Sequence, residues 1–234
     1  SLGARWSSRN NFEMARQYYE QAAAVKPSRQ NLLMLAGVYQ TLELYGRAEQ
    51  VLEELRARAP LSTEVLVRIA NLKALRGDVD AAERLYQRAI WLQDLTMIDS
   101  LVTRLSYAQM LLASGRLEAA EREIGTILQL SPYNTAGYMQ AGDLYTRLNQ
   151  PEKAVAAYQQ VLELDPTQSS ALVSMRGLMP QIDPDENLDM LQRVAALNPT
   201  EPRVLTYLAA QLRQLGNLES AVNAYLRALD ALET

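Results

Sequence analysis

The sequence predicts an all-α fold, an α-solenoid of repeated helix-turn-helix pairs. Three observations predict it. A pattern of small and large residues recurs about every 34 residues, a period at which helix pairs stack. The large residues upstream of each copy fall at helical spacing. Gly or Pro stands where each helix of a pair must stop.

The pattern is Ala, three residues, a large residue, two residues and a small or aliphatic residue. Ala15, Tyr19 and Ala22 give it first, then Ala48, Leu52 and Leu55, then Ala82, Tyr86 and Ala89. Ala120, Ile124 and Ile127 follow, then Ala154, Tyr158 and Val161, and last Ala221, Tyr225 and Ala228. Pro27, Pro60, Pro132 and Pro166 come five residues after four of these copies, and Asp94 takes that place in the third.

Each copy has an upstream half. Leu32, Leu35, Ala36 and Tyr39 precede Ala48, and Leu66, Ile69 and Ala70 precede Ala82. Tyr138, Ala141, Gly142 and Tyr145 precede Ala154, and Leu205, Leu208, Ala209 and Leu212 precede Ala221. Leu2 and Gly3 fit the same place in a first repeat. Small residues belong where the two helices cross, because a larger side chain would push the axes apart. Leu and Tyr fill the space on either side. Gly77, Gly115 and Gly216 sit where the first helix ends and the chain needs positive φ.

This order of positions resembles the tetratricopeptide-repeat (TPR) family over essentially the whole chain. The resemblance implies a single right-handed solenoid over 1–234 with about seven repeats, the first truncated and the sixth, at 168–199, degenerate. The chain opens on Ser1 in what reads as mid-helix, and no polar capping helix follows the last repeat. Both features predict a piece of a longer protein whose last repeat exposes an apolar face.

Two places depart from the rhythm. The step from Ala82 to Ala120 is too long, with the extra residues around Asp94 to Ser100. Their apolar character predicts an extended first helix in the next repeat. In the sixth repeat Leu172 and Met175 keep the first helix, and Leu191, Val194 and Pro199 keep the second. Between them Pro180 to Glu186 replaces the glycine turn, and Asn187 stands at the crossing alanine. The expectation is a splayed pair that opens readily between Met179 and Asn187.

The tryptophans are Trp6 and Trp91. Trp91 occupies a second-helix place that elsewhere holds Ala24, Gln129, Glu163 or Asp230 and, in the family, faces solvent. Either the nearby insertion, with Leu95, Met97 and Ile98, folds over it, or it meets a partner on the outer face.

Composition excludes much chemistry. Cys and His are absent, so disulfides, thiolate or imidazole ligation, and Ser-His-Asp or Cys-His catalysis are excluded within the chain. The net charge of -4 gives no electrostatic case for nucleic acid or an anionic membrane. No apolar run reaches the roughly 18 residues of a membrane helix. Asp183, Asp185 and Glu186 cluster on a proline-rich turn, where solvated acids and helix caps are expected. No enzyme, cofactor or metal site is expected; the compartment stays open.

The family resemblance implies that first helices line a concave groove. Its inward positions select Met34, Gly37, Arg68, Asn71, Gln109, Met139, Gln140, Asp143, Arg147, Arg203, Tyr207 and Arg213. Such a mixed surface suits a protein or peptide ligand, and its excess of Arg over acid suits an acidic one. Alternatively, these arginines pair within the stack, as Arg147 with Asp143. Chaperone-binding members grip a terminal carboxylate with Lys, Asn and Arg from three consecutive repeats. The matching places here hold Leu33 and Gly37, Arg68, then Val102 and Ser106; the next frame holds Val67 and Asn71, Ser106, then Ala136 and Gln140. Neither set makes that clamp.

The expected function is a protein-interaction scaffold. By style, with the Leu-Glu-Leu-Asp-Pro run at Leu162 to Pro166, the repeats resemble those of bacterial envelope, exopolysaccharide-export or pilus-assembly machines. The alternatives are the recruiting or regulatory arm of an enzyme such as a glycosyltransferase, and a self-assembling structural protein.

Overall fold

The computed structural model describes residues 12–165, 167–178 and 181–233. Leu2, Gly3, Trp6, Pro166, Met179 and Pro180 lie outside the described residues. Among the described residues the chain is all α, with 13 helices and no strand. The chain forms two compact units, Ser1–Met110 and Leu111–Thr234.

The first unit holds α1 (Phe12–Val25), α2 (Arg29–Thr41), α3 (Tyr45–Arg58), α4 (Thr63–Leu75), α5 (Val79–Leu95) and the start of α6 (Leu101–Ala113). The second holds the end of α6, α7 (Leu117–Leu130), α8 (Thr135–Arg147), α9 (Pro151–Leu164), α10 (Ser169–Leu178), α11 (Pro184–Leu197), α12 (Pro202–Gln214) and α13 (Leu218–Glu233). In the first unit α1 to α5 pack against one another in chain order; in the second α7 to α10 do so, while α11 packs on α9 and α12, and α12 packs on α13.

The crossing alanines behave as the repeat requires. Ala15, Ala48, Ala82, Ala120 and Ala154 are fully buried at 0% exposure. Tyr19, Leu52, Tyr86, Ile124 and Tyr158, one helical turn on, are buried beside them. On the first helices Ala36, Ala70, Ala108, Gly142 and Ala209 are buried at the matching place. A Cβ added at Gly142 would lie 2.6 Å from Cζ and 2.7 Å from Cδ1 of Tyr158. Glycine is required there because the tyrosine ring presses directly on the backbone of α8.

Five of the turns inside the repeats share one hydrogen-bond pattern. Gly77 N donates to Ala74 O at 3.0 Å, and Asp78 N donates to Lys73 O at 2.9 Å. This double bond closes the helix with one left-handed residue. Gly115 and Gly216 do the same, with φ of 74° and 78°. Glu43 and Asn149, with φ of 58° and 55°, hold that place in the second and fifth repeats. There the bonds outweigh the steric cost, about 1 kcal/mol for a residue with a Cβ.

The insertion departs from expectation. It lengthens the second helix of the preceding repeat, and α6 stays at 13 residues while α5 reaches 17. Local chemistry fixes the boundary. Met97 takes φ of 55°, with Ile98 N donating to Gln93 O, so the helix ends by the same turn used elsewhere. Asp94 then accepts from Ser100 Oγ at 2.7 Å and pairs with Arg104 at 2.7 Å, while Asp99 Oδ1 accepts from Leu101 N and starts α6.

The cover over Trp91 does not form. Trp91 is 60% exposed and Met97 96%, with Leu95 and Ile98 also exposed. Continuation of α5 carries the apolar residues along the helix and away from the ring. Trp91 keeps the solvent-facing register that Ala24, Gln129, Glu163 and Asp230 share. On the last helix, Leu218, Val222, Leu226 and Leu229 are exposed, as expected of the last repeat.

Two predictions follow from this packing. Gly142→Ala destabilises the protein by about 1–3 kcal/mol, because the methyl group meets the Tyr158 ring. Gly125→Ala, where a Cβ meets nothing within 4 Å, stabilises it by about 0.5–1 kcal/mol through helix propensity. Thermal melts giving both variants the same sign would refute the crossing geometry. In a Trp6→Phe background, Trp91 emits at long wavelength and is quenched readily by acrylamide; blue, protected emission would restore the covered arrangement.

Candidate functional site

First helices present one face to their neighbours and leave another exposed to solvent. In the first unit Arg68 and Asn71 lie on α4 and Gln109 on α6, with Asn71 and Gln109 exposed and Arg68 half-buried. Met34 is exposed and Gly37 half-buried on α2. Arg68 Nε stands 3.5 Å from Glu64 Oε1, an exposed pair that constrains it little. Asn71 Oδ1 accepts the hydroxyl proton of Tyr86.

In the second unit Met139 packs on the core and Gln140 is half-buried beside it on α8. Asp143 accepts from the Tyr158 hydroxyl at 2.8 Å, the counterpart of the Asn71–Tyr86 contact. Arg147 does not take Asp143 as its partner. Its Nη1 donates to the Leu112 carbonyl at 2.5 Å, in the last turn of α6. The Leu112 carbonyl already accepts from Gly115 N at 3.1 Å, and Arg147 adds a second, charged donor at the end of the helix, where a cation is favoured. Arg147 therefore ties α8 to α6. Arg58 and Arg227, on second helices, similarly reach the Pro27 and Pro199 carbonyls.

Burial pushes the Tyr86 hydroxyl up to about 12, and burial does the same to Tyr158, also about 12. The carboxylate of Asp143 adds to the second shift. Both rings stay neutral when the fold is intact, so their hydroxyls donate to Asn71 and Asp143. Because these folded values lie above the usual one near 10, the associated stability is complete below pH ~10 and is lost as pH rises toward 12.

The remaining residues of the set gather on α12. Arg203 is exposed near its start, Tyr207 is half-buried one turn on, and Arg213 is exposed near its end. The Arg176 guanidinium of α10 lies 4.9 Å from the Tyr207 ring centre, and its Nη1 is 3.5 Å from the hydroxyl. Arg176, Tyr207 and Arg213 line a cavity of 690 Å³ with Ile182, Asn187 and Gln211. Asn187 is 2% exposed. Its Nδ2 donates to Gln211 Oε1 at 3.4 Å, and its Oδ1 is buried with no hydrogen-bond partner. Gln211 Nε2 donates to the Pro184 carbonyl at 3.1 Å.

Sequence reasoning placed Tyr207 and Arg213 in the ligand surface and missed Arg176. A signal was available: Arg176 lies one repeat after Gly142 and one before Ala209, where a small residue is expected. Among the described residues there is no acidic cluster that could hold a metal ion. No described helix is long and apolar enough to cross a membrane.

Helix pairs with small residues buried at their crossings, closed by left-handed turns, define a helical-repeat protein. Sequence models of the tetratricopeptide repeat match residues 33–94 and 111–177, and the chain belongs to the tetratricopeptide-repeat family. Over 182 residues it is 22% identical to the Homo sapiens protein O-mannosyl-transferase TMTC1, covering 76% of this chain and 20% of that protein. The chain thus spans about a fifth of that relative. The C-terminal part of a TPR repeat-containing protein from Cytophaga hutchinsonii has a TM-score of 0.65 and 16% identity, covering 100% of this chain and 99% of that one. PilW, a widely conserved type IV pilus biogenesis factor, has a TM-score of 0.60 and 15% identity, covering 94% and 95%. At these identities the solved structures share the fold alone. That fold is a protein-interaction scaffold and is typically non-catalytic.

The tyrosines carry a test of this geometry. Thermal stability falls between pH 10 and 12, and Tyr86→Phe with Tyr158→Phe flattens that fall because neither ring can then ionise. An unchanged slope in the double variant would place the ionising groups elsewhere.

Proposed function

We propose that this chain binds a partner protein or peptide against the faces of its first helices, within a larger assembly. The observation that carries the reading is the side-chain set left on those faces. Asn71, Gln109 and Arg203 are exposed and polar, with Met139 and Tyr207 as partly buried apolar contacts. Arg68, Arg203 and Arg213 give the set a basic character in a chain of net charge -4. A partner with an acidic segment is steered to such a surface and held by planar, two-bond contacts. A bacterial envelope assembly, for export or pilus biogenesis, suits the repeat style, and the fold likeness to PilW is consistent with it.

A second reading is the recruiting arm of a glycosyltransferase. The similarity to TMTC1, a protein O-mannosyl-transferase, favours it. In that case the catalytic residues belong to other segments of the whole protein, and this chain still serves by binding.

Photo-crosslinking amino acids at Gln109 and Arg203, one per unit, test the surface in cells. Trp91 and Asp230 on second helices serve as controls. Partner adducts are expected from the first pair. Adducts formed only from Trp91 or Asp230 would move the binding surface to the second helices.

A further inference from the structure

In the regular repeats, each helix of a pair carries a small residue where the two cross. The fifth repeat uses Gly142 and Ala154, and the seventh uses Ala209 and Ala221. The sixth repeat breaks the rule on both helices at once. Arg176 stands at the first-helix place and Asn187 at the second. Neither fits a close crossing, and both line the 690 Å³ cavity instead. The cavity lies beside the start of α11 at Pro184, which lines it with Ile182.

The chemistry of the cavity is specific. Arg176 and Arg213 stand at its rim, both exposed, and neither forms a salt bridge among the described residues. Arg176 is held over the Tyr207 ring, with Nη1 3.5 Å from its hydroxyl, which restricts the side chain while the guanidinium keeps further N–H groups for a ligand. Deeper in, Asn187 is buried with an orphaned Oδ1. An acceptor left without a donor in such a place is costly, and a donor arriving from the cavity removes that cost.

We propose that this cavity is a recognition pocket for an acidic peptide segment, whose carboxylate lies between Arg176 and Arg213 while a peptide N–H reaches Asn187. The inference rests on the peptide-binding reading above and assigns it a specific pocket. A peptide supplies both groups at once: the anion for the rim and the adjacent donor for the floor. An inorganic anion satisfies only the rim. The pocket lies at a broken crossing and is lined by the sixth repeat and the first helix of the seventh, unlike a clamp assembled from three consecutive repeats.

The test uses a random heptapeptide library panned against the whole chain, made with free and with amidated C-termini. Wild-type protein is expected to enrich peptides bearing Asp or Glu, or a free terminal carboxylate; the amidated arm tells the two sources apart. For the best peptide, Arg176→Ala with Arg213→Ala weakens Kd at least tenfold by fluorescence anisotropy. Arg176→Glu with Arg213→Glu shifts enrichment to Lys and Arg. Arg176→Ala with Asn187→Ala restores the small crossing residues, so it raises Tm and loses the peptide together. Unchanged Kd in these variants, each shown folded by circular dichroism, overturns the pocket. So does a wild-type selection without carboxylate preference. If the pocket variants keep the peptide while Gln109 and Arg203 still crosslink to a partner, the pocket fails and the broader binding surface stands.

Discussion

Two helices that cross in contact leave room at the crossing for hydrogen or a methyl group and for nothing larger. The fully buried Ala48, Ala82, Ala120 and Ala154 are the direct expression of that limit, and the Tyr158 ring against Gly142 is its tightest case. The rest of the repeat follows from it. Close axes bring Tyr19, Leu52, Tyr86 and Ile124 into the core beside the crossing. They also demand a short return between helices, which the left-handed turn supplies. Buried tyrosines must then find partners for their hydroxyls, and the first helix provides them through Asn71 and Asp143.

That chain of demands limits what remains for binding. Asn71 and Asp143 are exposed on first helices yet are bonded to the tyrosines of their own repeats. Arg147 is spent on the Leu112 carbonyl at the end of α6. A side chain on the inner face is therefore no evidence of ligand contact unless its polar atoms are free of the stack. Gln109, Arg203 and Arg213 meet that standard better, and two of the three lie on one helix, α12.

The repeat register was legible in the sequence because steric exclusion at the crossing writes itself as Ala or Gly, residue by residue. Positive φ at Gly77, Gly115 and Gly216 was legible for the same reason. Glu43, Met97 and Asn149 were not, since their turns are held by backbone hydrogen bonds that leave no mark on residue type. The insertion misled for a related reason. Its apolar residues suggest burial, but the helix end is set by Met97 and by the Asp94–Ser100–Arg104 contacts, so Leu95 and Ile98 stay exposed. The basic face was legible as composition, whereas the commitment of Arg147 to a backbone carbonyl depends on where α6 ends in space.

The sixth repeat shows what happens when the crossing rule is relaxed. Replacing a methyl group by the Arg176 side chain removes a close contact and adds a charge that must remain in solvent. Replacing the partner alanine by Asn187 buries an amide that Gln211 satisfies only in part. Both changes lower stability, and their costs fall on the same small volume. Neighbouring repeats tolerate this because each repeat leans only on those beside it: the α9 core through Val155 and Leu162 and the α12 core through Leu205 and Leu208 are buried on either side. A repeat array can therefore carry one poorly closed pair without unfolding, and a poorly closed pair is where it can offer a concave, charged site rather than a packed seam. The same local nature of the stacking that makes the fold legible by its period makes a departure from the period the best place to look for recognition.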